Sequence, residues 1–361
     1  MTPWMEPIRD ASVWTGDDLE KDRSWEFVLD EQHKAELAQA LTQVNKDGLS
    51  LVEITKENFP LSVLGDVLQR LQEELIKGKG FALLRGVPTE GYDLKDLEKI
   101  YWGLCTYLGT GVTQNSEAGL IHYVTDGKLR PQQGTRGVGN PGPVGLHVDL
   151  TDCVALFCVR QAPDDPHSLV ASSMTLYNEI LKQHPEWLPR LYEGFIWNRA
   201  NEEGQGETPV SNYKVPAFSE VDGVVTCRFN GHWIKAGLER MGETLTEEEA
   251  EIFDFISKTA AENSFAFPLH KGEIAFCNNY TVFHGREGHA PIEDEEQKRV
   301  LLRIWMDLPN VRPFADEGRI RYGVVRHGNL GWTAKDLLMG KNSMPHRRRM
   351  DGVPEVNEPI M

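Results

Sequence analysis

The chain has 361 residues, of which 40% are hydrophobic, enough for a sizeable core built as one large domain with insertions or as two intimate subdomains. A formal net charge of −17 argues against nucleic acid and anionic membranes as partners. The five cysteines are odd in number and contain no CxxC pair, which excludes zinc-ribbon and thioredoxin readings and suits reduced thiols.

Residues 1–30 are acidic and Trp-containing and read as an N-terminal arm. They lack the apolar h-region of a secretory signal, and no run has the length of a membrane helix, so a cytoplasmic location is expected. Helical spacing covers 31–46, 63–78 and 93–108, with Leu64, Val67, Leu68, Leu71 and Leu75 on one stripe of the second. Between the second and third, GFALLRGV is a short apolar run that predicts a buried strand. Residues 130–146 are rich in Gly and Pro and predict a loop; no Lys-Ser/Thr follows, so it is no phosphate-cradling loop.

Residues 147–160 (HVDLTDCVALFCVR) predict one strand, PDDPHS a turn, and 173–184 a helix. Residues 185–265 predict short strands and one strong helix, started at Thr246 by a Thr-Glu-Glu-Glu capping box. Strands return over 266–308, with a turn at Lys271-Gly272. Residues 311–361 form a C-terminal extension that packs on the core or trails from it, and its basic run 346–349 pairs with the acidic body. Helices followed by many short strands, without βαβ alternation, predict an α+β fold with a jelly-roll core over 31–310.

Chemistry concentrates in two distant strings, GLHVD and YTVFHGR, followed by KRVLLRIW. Along a strand, His147 and Asp149 point the same way and can grip one ion. His284, on a later apolar strand, supplies a third ligand. Two imidazoles and a carboxylate on one octahedral face leave three positions open, as in non-haem iron(II) oxygenases. Arg299 and Arg303 share a strand face, and a guanidinium can hold a carboxylate in a bidentate fork. No GxSxG string supports a serine hydrolase.

The set GLHVDLTD, DPHSLVASSMTLYNEIL, NNYTVFHGR and KRVLLRIW resembles the taurine dioxygenase/clavaminate synthase-like superfamily of iron(II)/2-oxoglutarate enzymes over roughly residues 78–310. The resemblance implies a double-stranded β-helix (jelly roll) with flanking helices and long insertions. It implies that His147, Asp149 and His284 bind Fe(II), that Arg303 holds the distal carboxylate of 2-oxoglutarate with Ser168 assisting, and that Arg299 is a secondary contact. Pro166-His167 stand where the family often has two glycines. Retention of Asp149 argues against halogenation.

The implied reaction uses O2 to oxidise a C–H bond of a small molecule, by hydroxylation, desaturation or ring closure, with release of succinate and CO2. The substrate expected is a small carboxylate or amino-acid-like metabolite, contacted by Asn115, Arg136, Arg228 and His232, in a chain compatible with a homo-oligomer. Two rivals remain open: a metal-dependent hydrolase or isomerase using the same ligands, and a non-catalytic jelly roll that binds a small acid.

Overall fold

A computed structural model describes residues 2–115, 118–125, 141–200, 208–315 and 331–341, and the backbone alone of 320–321, 324–327, 345–347 and 355–359. The candidate substrate contact Arg136, and all but the end of the Gly/Pro-rich loop, lie outside the described residues.

The first half of the chain is mostly helical: α1 (Gly16–Lys21), β1 (Glu26–Val28), α2 (Glu31–Lys46), α3 (Leu64–Lys77), β2 (Phe81–Arg85), α4 (Leu94–Cys105), β3 (Thr110–Val112) and β4 (Ile121–Val124). Then come β5 (Val144–His147), β6 (Cys153–Arg160), β7 (Ser168–Ser172), α5 (Ser173–Gln183), α6 (Leu188–Glu193), and the hairpin β8 (Phe218–Val221) and β9 (Val224–Cys227). The last part runs α7 (Gly231–Met241), α8 (Glu247–Glu262), β10 (Phe265–Phe267), β11 (Ile274–Asn278), β12 (Val282–Arg286) and β13 (Val300–Asp307).

Two sheets face each other. The major sheet runs β1-β2-β11-β6-β13-β3, with β4 also paired to β13, and the minor sheet runs β10-β7-β12-β5. Neither closes on itself; the helices cover what the sheets leave bare. Alternation along β13 explains the layering. Leu302, Ile304 and Met306 point outward and pack with α3 and α4 through Leu68, Leu71, Leu75, Ile100 and Leu104. Leu301 and Trp305 point inward, where Phe81, Val154 and Cys277 of the major sheet meet Val170, Phe265 and Val282 of the minor one. A third apolar cluster seals the far side of the minor sheet, with Ala171 and Phe283 under Tyr177, Leu188, Ile252 and Phe253.

The N-terminal segment is built into the body. The Trp14 indole donates to the Lys79 carbonyl at 2.8 Å, Trp25 is fully buried between the sheets, and β1 pairs in parallel with β2. After β13, Arg312 ties back to Asp10 at 3.0 Å, and Trp332 is buried with its backbone N–H on Thr113 Oγ1 at 2.9 Å.

One local expectation is corrected. Residues 147–160 are not one strand: β5 ends at His147 in the minor sheet, and β6 begins at Cys153 in the major sheet. The five residues between them carry the chain across the jelly roll. In the run CRFNGHWI, Asn230 caps α7, its side chain accepting from Trp233 N, and His232 lies in the first turn of that helix. The capping box at Thr246 forms as expected, with Glu249 N donating to Thr246 Oγ1 at 3.2 Å and Thr246 N donating to Glu249 Oε2 at 2.8 Å.

Candidate metal centre

His147 and His284 are paired across β5 and β12, which sets their rings side by side with centroids 4.5 Å apart. Gly285 permits this approach, because a Cβ there would lie 2.7 Å from the Val144 carbonyl oxygen of β5. Asp149 comes from the crossing segment just past β5. Its Oδ1 lies 3.8 Å from His147 Nε2 and its Oδ2 3.8 Å from His284 Nε2. One ligand atom from each of the three residues lies within 4.8 Å of the others. The three ligands therefore converge, although the single-strand geometry expected for His147 and Asp149 does not hold.

The donor chemistry suits a divalent ion. His147 Nδ1 donates to the Gly145 carbonyl at 2.8 Å, so the proton sits on Nδ1 and Nε2 offers its lone pair. Burial first, then the charge field of His147, drives His284 down to about 3, leaving a neutral imidazole. Burial alone would raise the Asp149 carboxyl. The Arg303 guanidinium, the two imidazoles and the Trp305 N–H outweigh it and hold the group well below the usual carboxylate range. Two imidazoles and one carboxylate are the donor set of an iron(II) facial triad.

The segment bearing Asp149 has no regular structure, yet several of its polar groups have named partners. Val148 N donates to Phe229 O at 3.2 Å, and Asp149 N donates to Asn279 Oδ1 at 2.9 Å. Arg228 is buried beneath the segment, its Nη1 donating to the carbonyls of Asp149 and Thr151 at 2.8 and 3.0 Å, with its guanidinium 4.1 Å from the centroid of Tyr280. Tyr280 in turn donates to Asp152 Oδ1 at 2.8 Å. Arg228, expected as a substrate contact, is buried and holds the backbone of the segment that carries Asp149.

The remaining expected residues separate. Arg303 points between the sheets, Nε to Gln114 Oε1 at 2.9 Å and Nη1 to Asp149 Oδ2 at 3.3 Å. Gln114 is held by its own amide on the carbonyls of Leu120 and Arg303, both at 2.7 Å. Arg299 is buried farther along β13's approach, with Nε on Gln161 Oε1 at 2.8 Å. No carboxylate among the described residues pairs with Arg299. Burial, then the like charge of Arg286, lower its guanidinium to about 10, so it stays charged at neutral pH. Ser168 pairs in register with Arg286, two residues beyond the ligand His284. Asn115 is buried and accepts from Gly119 N at 3.1 Å, while His232 is exposed on α7 against Trp233.

Gln114, Asn279, Arg286 and Trp305 also build the site, although the ligand and substrate assignments from sequence did not include them. For Asn279 and Arg286 the signal was their place inside the NNYTVFHGR string. Nothing local marked Gln114 or Trp305.

Residues 30–305 match the family described as taurine catabolism dioxygenase TauD, TfdA family. The chain belongs to the TauD/TfdA family. Among its relatives, FR-33289 synthase of Streptomyces rubellomurinus is 31% identical over 316 residues, covering 86% of this chain and 93% of that protein. A taurine hydroxylase-like protein of Stachybotrys chartarum is 25% identical over 313 residues, covering 82% and 79%. Among solved structures, an asparagine oxygenase complexed with Fe(II), 3-hydroxyasparagine and succinate aligns with a TM-score of 0.61 at 16% identity, over 78% of this chain and 93% of that one. The non-heme iron oxygenase OrfP with Fe and alpha-ketoglutaric acid aligns at 0.58 and 14% identity, over 78% and 94%. These structural likenesses establish the jelly-roll fold. Membership of the TauD/TfdA family, with the converging His147, Asp149 and His284, makes this chain an iron(II)- and 2-oxoglutarate-dependent dioxygenase acting on a small molecule. No helix among the described residues is long and apolar enough to cross a membrane.

Proposed function

We propose that this TauD/TfdA enzyme oxidises a C–H bond of a small, acid-bearing, amino-acid-like metabolite, and that Arg303 and Arg299 hold the substrate and the cosubstrate respectively. The reading is carried by the different depths of the two arginines relative to Asp149. When bound, iron with 2-oxoglutarate and O2 supplies the oxidising power, with release of succinate and CO2.

His147, Asp149 and His284 hold the metal. The chelating end of 2-oxoglutarate belongs there, and its far carboxylate must find a cation two methylenes away. Arg303 already touches a metal ligand, which puts it at the near end of the pocket. Ser168 and Arg286 stand one inward-facing step beyond His284, about 7 Å along the strands, and Arg299 is close enough to Arg286 for the two charges to repel. A buried guanidinium with no carboxylate partner among the described residues, beside a second cation, suits an incoming carboxylate. The sequence reading gave this role to Arg303 with Arg299 in support; the positions favour exchanging them.

Arg303 then anchors an anionic group of the substrate beside the metal, oriented by Gln114. Substrate class draws support from the asparagine oxygenase and OrfP structures, which hold hydroxylated asparagine and hydroxylated arginine.

The test is succinate release with a panel of small amino acids, other small acids and their amides, combined with 2-oxoglutarate kinetics of two variants. Arg299→Ala is expected to raise the KM for 2-oxoglutarate at least tenfold, about 1.4 kcal/mol, while Arg303→Ala chiefly raises the KM for the substrate. The reverse pattern restores the original order of the two arginines. Coupled turnover of a neutral amide with no acidic analogue accepted would sink the substrate class.

A further inference from the structure

We infer that Trp305 is a positioning residue that makes Asp149 a one-oxygen ligand, by fixing Oδ2 so that only Oδ1 is left for the metal. The inference rests on the metal reading and adds a residue to it.

Asp149 is held at each polar atom but one. Its backbone N–H donates to Asn279 and its carbonyl accepts from Arg228. Oδ2 accepts the Trp305 indole N–H at 2.8 Å and the Arg303 guanidinium at 3.3 Å. A carboxylate oxygen has two lone pairs in its plane, so two donors occupy Oδ2. Oδ1 accepts from no donor among the described residues and lies on the His147 side.

Of the two donors on Oδ2, Trp305 is the rigid one. It is buried on a central strand between β6 and β3, within the cluster between the sheets, and it has only two side-chain torsions. Arg303 reaches Asp149 through a long side chain and stacks 4.9 Å from the Trp305 ring centroid. The indole therefore sets the plane of the carboxylate. A carboxylate free to turn would offer both oxygens and occupy an extra coordination position, at the expense of cosubstrate or O2. Partners of this kind typically govern metal affinity by roughly 10–100-fold.

The experiment uses the full chain with Co(II) in place of iron, read under anaerobic conditions by d–d absorption. Trp305→Phe removes the N–H together with some volume. Replacement of Trp305 by 3-benzothienylalanine puts sulfur where the N–H was and keeps the shape. Val154→Ala, on the residue paired with Trp305 in register, loosens the same core without touching the hydrogen bond.

Both Trp305 replacements are expected to weaken Co(II) binding roughly 10–100-fold and to change the d–d spectrum, with Val154→Ala staying within about twofold of the parent. If the phenylalanine chain fails to fold, the benzothienyl chain decides alone. Parental affinity and spectrum in a folded benzothienyl protein overturn the role of Trp305, while loss of binding in His284→Ala keeps the metal reading intact. A parent protein that binds no Co(II) overturns both.

Discussion

The outer face of the major sheet and the segment that crosses from β5 to β6 are held by opposite means. On the outer face, α3 and α4 bury leucine, isoleucine and aromatic side chains against Leu302, Ile304 and Met306. In the crossing segment there is no helix or strand, and Asn279, Arg228, Phe229 and Trp305 each hold a named atom of Val148 or Asp149. Apolar burial is non-directional and tolerates repacking, so it supplies stability. Hydrogen bonds to buried groups are directional and costly to leave unmade, so they supply position. The enzyme keeps its free-energy reserve in one region and its geometry in the other.

The sharpest break of that contrast is at the ligand itself. Asp149→Ala is expected to abolish the weak visible band of the anaerobic iron(II)/2-oxoglutarate complex in protein that still folds. Removing the carboxylate also deletes the Arg303 ion pair, so some loss of stability accompanies the loss of the band. A retained band would remove Asp149 from the ligand set.

Leu71→Ala should do the converse. It empties a fully buried site on α3 and should cost about 2–5 kcal/mol in denaturant unfolding, with 2-oxoglutarate affinity unchanged below the transition. Weakened cosubstrate binding in the folded state would show that the two regions are coupled.

Arg228→Lys lies between them. Lysine keeps the charge but not the planar fork that serves two carbonyls, so metal affinity should fall several-fold to tenfold, with a smaller change in unfolding free energy. An unchanged affinity would mean that the segment holds its shape without the clamp.

The smallest effect is expected at Glu249, far from the metal, where an N-terminal helix cap meets Arg190. Burial raises this carboxyl, but the Thr246 N–H and then Arg190 lower it further, leaving its folded value below 4.5. A depressed folded value contributes stability above the unfolded value and loses it as pH falls through the folded one. Glu249→Gln should therefore cost about 1 kcal/mol at pH 7, and the gap to the parent should narrow below pH 4.5, measured by urea unfolding. A gap that widens in acid would refute the assignment.

The helices were legible because apolar periodicity and caps are local. The spans expected at 31–46, 63–78 and 93–108 appear as Glu31–Lys46, Leu64–Lys77 and Leu94–Cys105. The convergence of His147, Asp149 and His284 was legible through the resemblance of their motifs to a known family. The break after His147 was not, because HVDLTDCV has no Gly or Pro to mark it, and only the need to change sheets interrupts it. Helix α7 was hidden for a related reason: its early residues His232 and Trp233 carry weak helix preference, and only two residues separate the Asn230 cap from the end of β9 at Cys227. The partners of Asp149 were beyond reach. Trp305 lies 156 residues away, and an indole in an apolar strand reads as core until its N–H is seen to have an acceptor.

The burial of Trp14, Leu19 and Trp25 bears on where this protein can be cut. Homology draws its start at residue 30, where the family match begins. The packed interior starts earlier: β1 shields one edge of β2, and Trp25 lies against Phe81 and Phe265 from opposite sheets. A chain trimmed to the homologous boundary would lose an edge strand and expose the seam between the sheets, a route to aggregation. Tags and fusions belong ahead of Trp4, whose backbone already meets Tyr192 and Tyr177.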